Sequence, residues 1–492
     1  MKKLFLYILA AIFILSVMLV THSYAHDKDW GHWKHKHGCY QNSVVPSPKV
    51  TKPAWTSDRI GDVSKNYPFY SPTVDFADYG YIQEEFFIEG TANRYNTPSL
   101  QTGSIIDGGH PYKTRILVRR PMYRHHFNGT VLLEWQNVTA GYDLDAHWIS
   151  WKHFMRAGYA WVGVSAQKVG VNGNNPPLPN LGLKAWSPIR YGSLDVTAGG
   201  TLLNDELAYD IFSQAAKAIQ CPAGMDPMGG LDVKLVLAIG ASQSAMKLGT
   251  YYNSIHPLHN VVDAFYLLVG RFYGNVLRPD LKTKIFQVVS EFEVKYGAYL
   301  RIPDSANRHT WEIAGSAHSG YDSYLYRKPI GLRDAIPPSS IECNIKPVFS
   351  RIPTVYALNA AYDHLVRWVK TGTPPPTAPL IQVSSVGEPT TPAVIVRDTY
   401  GNALGGLRLP AFEVPIATNN GADNGPGLPA SFCALYGYFT PFDEATLNFL
   451  YPTHDAYIRA FMHSTYKALK AGYIVKEDAE EMIADALKAE IP

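Results

Sequence analysis

Leu235-Val236-Leu237-Ala238-Ile239-Gly240-Ala241-Ser242-Gln243-Ser244-Ala245-Met246-Lys247 is the stretch on which the reading of this chain turns. An apolar run of strand length ends in Gly-x-Ser-x-Ser, and a helical pattern begins at once. A strand that turns this sharply into a helix lifts the serine hydroxyl above the sheet edge. Small residues two positions either side then leave room for neighbouring strands. Ser244 meets that steric condition in place of the more usual glycine. The backbone N–H of Gln243 would open the helix, where partial positive charge favours an anion. A competing motif, Gly163-Val164-Ser165-Ala166-Gln167, also ends a strand-like run. A loop with no helix is expected after it, so Ser165 reads as a wall residue.

Working outward, strand-like runs occur at residues 83–88, 114–119, 130–135, 160–165, 233–239, 264–269, 285–289 and 310–313. Several are apolar along their length, as strands buried on both faces are. Helical patterns lie between the later ones, at 205–220 and 243–254. This alternation predicts an α/β fold, an eight-stranded, mostly parallel sheet flanked by helices, its first strands antiparallel. Further on, 353–370 reads as a helix stopped by Thr371-Gly372-Thr373-Pro374-Pro375-Pro376, and 443–488 as two or three helices. The organisation read from this is a signal segment at 1–25, a His-rich and irregular lead-in at 26–80, a catalytic core at 81–370, and a C-terminal extension at 371–492 packed on the core.

A serine nucleophile needs a base and an orienting acid, in the chain order serine, acid, histidine for this strand–turn–helix arrangement. Among the later histidines, His318 alone lies just past a strand in a small-residue loop, Ala314-Gly315-Ser316-Ala317-His318-Ser319-Gly320. His256 and His259 end the elbow helix and His364 lies inside a helix, so they read as structural. The acid should follow the run at 285–289, which leads into Ser290-Glu291-Phe292-Glu293. On a continuing strand both glutamates would point the same way. The small-x-x-acid spacing favours Glu293, with Glu291 as the alternative. A second oxyanion donor is expected in the loop after Trp135, from the backbone N–H of Asn137 or Val138, unless Asn137 only stabilises a turn.

The composition bounds the answer. Hydrophobic residues make up 46% and charged residues 17% of 492, with a formal charge of +2, which excludes disordered, fibrous and multi-span membrane classes. Near-neutrality argues against a nucleic-acid partner. Lys2 and Lys3, an apolar run to Val20 and Ser23-Tyr24-Ala25 form a secretory signal cleaved after Ala25. Export to the periplasm or outside the cell is therefore expected, with no integral membrane domain after cleavage. Cleavage removes two lysines and no acid, leaving a formally neutral chain. In such a compartment Cys39, Cys221, Cys343 and Cys433 are free to form disulfides, in any of three complete pairings. Their wide spacing is unlike a zinc ribbon. The tract from His26 to His37 holds four histidines, but reads more simply as a solvated segment than as a metal site.

These residues bring a resemblance into view. The chain resembles the exported bacterial α/β hydrolase domain proteins whose elbow reads Gly-x-Ser-Gln-Ser. It does so from about Tyr81 to about Ala479, through Pro111-Tyr112-Lys113-Thr114-Arg115, Tyr191-Gly192-Ser193-Leu194, the elbow, Arg367-Trp368-Val369-Lys370 and Leu450-Tyr451-Pro452-Thr453-His454. The resemblance implies an α/β-hydrolase fold and a Ser–His–acid hydrolase. It also implies that the extension belongs to the hydrolase unit and covers its active site. Similar proteins carry Asp where this chain has Glu293. The expectation is an exported serine hydrolase acting on a small-molecule or polymer ester through an acyl-enzyme, with no cofactor and no metal. Amide hydrolysis or acyl transfer would use the same residues. A silent binding protein on the same scaffold is the rival of a different class.

Overall fold

A computed structural model describes residues 44–53, 58–173, 176, 180–270, 276–426 and 431–491. The signal segment, the histidine tract and Cys39 lie outside these residues. The central sheet has ten strands: β1 (Lys49–Thr51), β2 (Tyr81–Asn96), β3 (Ser104–Pro121), β4 (Thr130–Trp135), β5 (Ala160–Val164), β6 (Ala223–Gly224), β7 (Leu235–Ala241), β8 (Ala264–Leu268), β9 (Lys284–Val289) and β10 (Arg308–Glu312). Their order is β10-β9-β8-β7-β4-β5-β3-β2-β1-β6. Neighbours from β10 to β5 run parallel, and β5, β3, β2 and β1 pair antiparallel.

All eight expected strands are present. β1 and β6 extend the sheet beyond β2, so the segment read as an irregular lead-in contributes a strand. That segment also buries Tyr67, Phe69 and Tyr70. Its Pro and Ser content hid both facts, because a three-residue strand carries no measurable periodicity.

The parallel centre follows from composition. β4, β5, β7 and β8 are buried at every residue, as largely apolar strands covered by helices on both faces are; the one acid among them, Glu134, accepts from Ala146 N–H and Trp161 Nε1, both at 2.7 Å. After β4 the chain turns to β5 on one side, and later returns to β7 on the other. Strand order therefore reverses between β4 and β7, and a crevice opens beyond their carboxyl ends. The Asn137 loop and Ser242 both leave the sheet there.

Helices sit close to expectation: Ala208–Gln220, Thr354–Thr371, Glu444–Leu450, His454–Ala471 and Lys476–Ala486. Among the described residues no helix is long and apolar enough to cross a membrane. The elbow helix Gln243–Thr250 continues through a wide turn, Tyr251–Ile255, into His256–His259. After Ser165 one helical turn, Lys168–Val171, replaces the expected loop.

His256 and His259 are buried where that helical run ends. His256 Nε2 meets Thr283 Oγ1 at 2.8 Å, and His259 bridges Ser213 Oγ at 2.7 Å and Tyr95 O–H at 2.9 Å. Burial pushes both imidazoles down to about 4. An unfolded histidine takes up its proton at about 6.5. Between those values the folded chain binds fewer protons than the unfolded one, so stability is lost as pH falls through that window. The expected loss from about pH 7 to pH 5 is about 1–2 kcal/mol per histidine. Urea midpoints across this range check it: His256→Gln should flatten the slope, and parallel curves for variant and wild type would contradict the assignment.

Candidate active site

Ser242 has φ 59° and ψ −125°, a left-handed conformation that a side chain resists. Its surroundings hold it there. The Ser242 N–H donates to Leu268 O at 2.8 Å. Ser244 Oγ donates to Ala241 O at 2.8 Å and accepts from Ala241 N–H at 3.2 Å. A Cβ on Gly240 would stand 3.1 Å from the Ser244 carbonyl and 2.9 Å from Leu248 Cδ1, so a side chain there would crowd the first turn of the helix.

His318 lies on the loop after β10. Its Nε2 is 2.9 Å from Ser242 Oγ, and its Nδ1 is 2.6 Å from Glu293 Oε1. The two glutamates do not continue a strand. Ser290 caps a helix, Glu291–Gly297, in a capping box: Glu293 Oε2 accepts from Ser290 N–H at 2.9 Å and from Ser290 Oγ at 2.7 Å. Residues two apart on a helix point to opposite sides, and that separates the pair. Glu293 faces His318. Glu291 faces away, accepting from Arg397 Nη2 at 2.8 Å, Gly315 N–H at 2.7 Å and Gly421 N–H at 3.2 Å. The Ser-x-x-Glu signature of a capping box was present in the sequence and would have distinguished them.

The loop after β4 is held differently from expectation. The Asn137 N–H is taken by Leu144 O at 3.2 Å, so it is not free to serve an oxyanion. Asn137 instead ties the loop down: Nδ2 donates to Ala241 O at 2.9 Å, and Oδ1 accepts from Thr139 N–H at 2.9 Å. The Val138 N–H has no acceptor among the described residues. The Gln243 N–H lies in the first turn of the elbow helix, where backbone donors have no intrahelical partner.

Two fully buried arginines, which the sequence reading missed, anchor this loop from β3. Arg115 donates to Gln136 Oε1 at 3.1 Å and reaches Asp143 Oδ2 at 3.4 Å. Arg119 pairs with Asp145, and its guanidinium carbon lies 4.5 Å and 4.3 Å from the ring centres of Trp148 and Trp161. Ser165 belongs to this network, within 3.1 Å of Arg115 Nε, and not to the cavity wall. An arginine inside an apolar strand carries no local signal of its partners.

Ser242 and His318 open into a cavity of about 290 Å³. Its floor includes Leu268, Val269 and Val288. Its roof comes from the helix Tyr321–Arg333, residues 336–341, and residues 432–436 of the extension. A disulfide between Cys343, two residues past the first of these loop segments, and Cys433 in the other ties them together, with Cα atoms 5.5 Å apart. Cys221 is also disulfide-bonded. Among the described residues no group of three or more His, Cys, Asp or Glu is placed to hold a metal.

A family model described as an alpha/beta hydrolase domain matches residues 50–484. Compared with curated proteins, the sequence gives no significant match. Solved structures with which it aligns include oligopeptidase B from Trypanosoma brucei, at 11% identity over 52% of this chain and 37% of that one, TM-score 0.28. Acetyl xylan esterase 1 from Thermoanaerobacterium sp. JW/SL YS485 aligns at 12% identity over 46% of this chain and 53% of the other, TM-score 0.24. An α/β serine hydrolase without lid from Xanthomonas campestris aligns at 10% identity over 50% and 91%, TM-score 0.27. This chain therefore spans less than two fifths of the peptidase's length.

Glu291 is fully buried, and Arg397 supplies its charge partner from the extension. Removing one partner of a buried pair strands the other charge at a cost of about 3–5 kcal/mol. Arg397→Met should lower the unfolding free energy by that order, and Arg397→Met with Glu291→Gln should recover part of it. Urea denaturation measures both; a single variant as stable as wild type contradicts the role given to this pair.

Proposed function

We propose that this chain, which belongs to the α/β-hydrolase domain family, is a serine hydrolase that cleaves carboxylic esters. The observation that carries the reading is the unbroken Ser242 Oγ, His318 Nε2, His318 Nδ1, Glu293 Oε1 line, with contacts of 2.9 Å and 2.6 Å. It ends on a strained serine at a cavity. In this reading Ser242 Oγ attacks the ester carbonyl carbon while its proton passes to His318 Nε2. Glu293 fixes the imidazole through Nδ1 and balances its charge once it is protonated. The Gln243 N–H donates to the oxyanion, with the Val138 N–H as the second candidate donor. Collapse of the intermediate breaks the bond to the alcohol, which leaves with the proton from Nε2. Water then repeats the sequence on the acyl-enzyme and frees the acid.

The small size of the cavity supports a small ester over a polypeptide. Its volume lies at the lower end of small-ligand sites, about 300–1,000 Å³. We also propose that the protein is exported after cleavage at Ala25, a reading supported by the disulfide under the roof.

A fluorophosphonate probe should label the wild type and fail on Ser242→Ala. Glu293→Gln should lower kcat about a thousandfold or more, as mispositioning the base does in such triads, whereas Glu291→Gln should act through stability. An unlabelled but folded wild type would sink the hydrolase reading. Full turnover in Glu293→Gln would sink the assignment of the acid.

A further inference from the structure

The cavity beside Ser242 is unevenly charged. Its described lining includes Arg327 and Lys328 as well as His318, and no aspartate or glutamate. Both cations come from the roof helix Tyr321–Arg333. Lys328 is exposed at the rim, 5.4 Å from the Tyr324 ring centre. Arg327 is half-buried. Its Nε is buried without a hydrogen-bond partner, and its Nη1 makes one long contact, 3.4 Å to Ser319 Oγ. Ser319 directly follows His318, so the guanidinium touches the loop that carries the proposed proton carrier, and both side chains line the same cavity.

Two carboxylates act on Arg327 at longer range, and neither forms an ion pair with it among the described residues. Asp145 is held by Arg119 and by the Tyr326 O–H at 2.9 Å. Asp322 accepts from Thr354 Oγ1 and from Ser323 N–H, both at 2.8 Å. A half-buried cation with no close ion-pair partner keeps donors free for a ligand that brings the counter-charge. Arginine's planar fork suits a carboxylate, which it can grip with two parallel N–H groups.

The geometry points to a carboxylate-bearing substrate: a small ester whose free carboxylate pairs with Arg327 while its ester carbonyl reaches Ser242. The inference rests on the serine-hydrolase reading and adds the chemical class of its substrate. Arg327 is then a specificity residue in the roof, outside the bond-making line, and Lys328 draws the anion to the rim.

The test compares two esters of equal chain length, the 4-nitrophenyl monoester of glutaric acid and 4-nitrophenyl pentanoate. The full-length protein should favour the anionic ester in kcat/KM by about ten- to a hundredfold, the range of a charge-assisted hydrogen-bond pair. Arg327→Met should collapse that ratio, chiefly through KM, and Arg327→Lys should keep part of it. Free glutarate should protect wild-type Ser242 from a neutral fluorophosphonate at concentrations where pentanoate does not. That measurement stands even where the Arg327→Met protein fails to fold. Equal or better turnover of the neutral ester by wild type overturns the proposal, as does an equal loss on both esters in Arg327→Met. Absence of Ser242 labelling would instead overturn the hydrolase reading itself, so the two failures are distinguishable.

Discussion

The backbone at Ser242 is the constraint on which the rest of the site depends. A serine at φ 59° persists only where its surroundings over-determine it. Here the Leu268 carbonyl takes its N–H from the neighbouring strand, and Ser244 binds both backbone atoms of Ala241. Asn137 reaches across from the loop after β4 to the Ala241 carbonyl. The helix that follows packs tightly enough that a Cβ on Gly270 would fall 2.4 Å from the Ala245 methyl. Three adjacent strands thus fix one residue, at the point where strand order reverses. Strain held in this way fixes the hydroxyl's direction before any substrate arrives.

The loops facing Ser242 are organised by buried charge. Arg115 and Arg119, four apart on β3 and on one face of it, hold Asp143 and Asp145 at the far end of the Asn137 loop. Glu291 does the same for the histidine loop, where it takes the Gly315 N–H, the Gly421 N–H and Arg397. Such groups add little net stability when paired and cost much when unpaired. Their effect is therefore to select one loop arrangement over others. Arg397 and Gly421 belong to the extension, so that region takes part in positioning His318 from behind.

Much of this was legible in the sequence. Residues 235–241 and 264–268 announce themselves because each is almost wholly apolar, 130–135 because it is largely so, and the elbow is a local pattern with a steric reason. His318 could be singled out because a small-residue loop after a late strand is also local. A two-residue period leaves Glu291 and Glu293 ambiguous, whereas Ser290 starts a helix there and separates them. The motif points to the backbone N–H of Asn137, whereas its contribution comes through its side-chain amide, 104 residues away in sequence at Ala241. Arg115, Arg119 and Arg327 were invisible for the same reason. Each takes its meaning from long-range neighbours, or from their absence, and composition records neither.

The cavity divides its work between two parts of the chain. The sheet supplies the strained serine, the histidine loop and the capped Glu293, all fixed by short contacts within the core. The roof supplies Arg327, Lys328 and the apolar surfaces of Ile336, Leu435 and Tyr436, and the Cys343–Cys433 bond pins its two loop segments to each other. Roof side chains can therefore change without moving the Oγ–Nε2–Nδ1–Oε1 line. The capping box adds a reason for glutamate as the acid. With Oε2 held by Ser290, only Oε1 remains for His318, and the longer side chain spans from the third helical position back to the cap and outward to the imidazole. In this chain the acid's length and the Ser290 cap form one arrangement, set in the core, while selectivity is left to the roof.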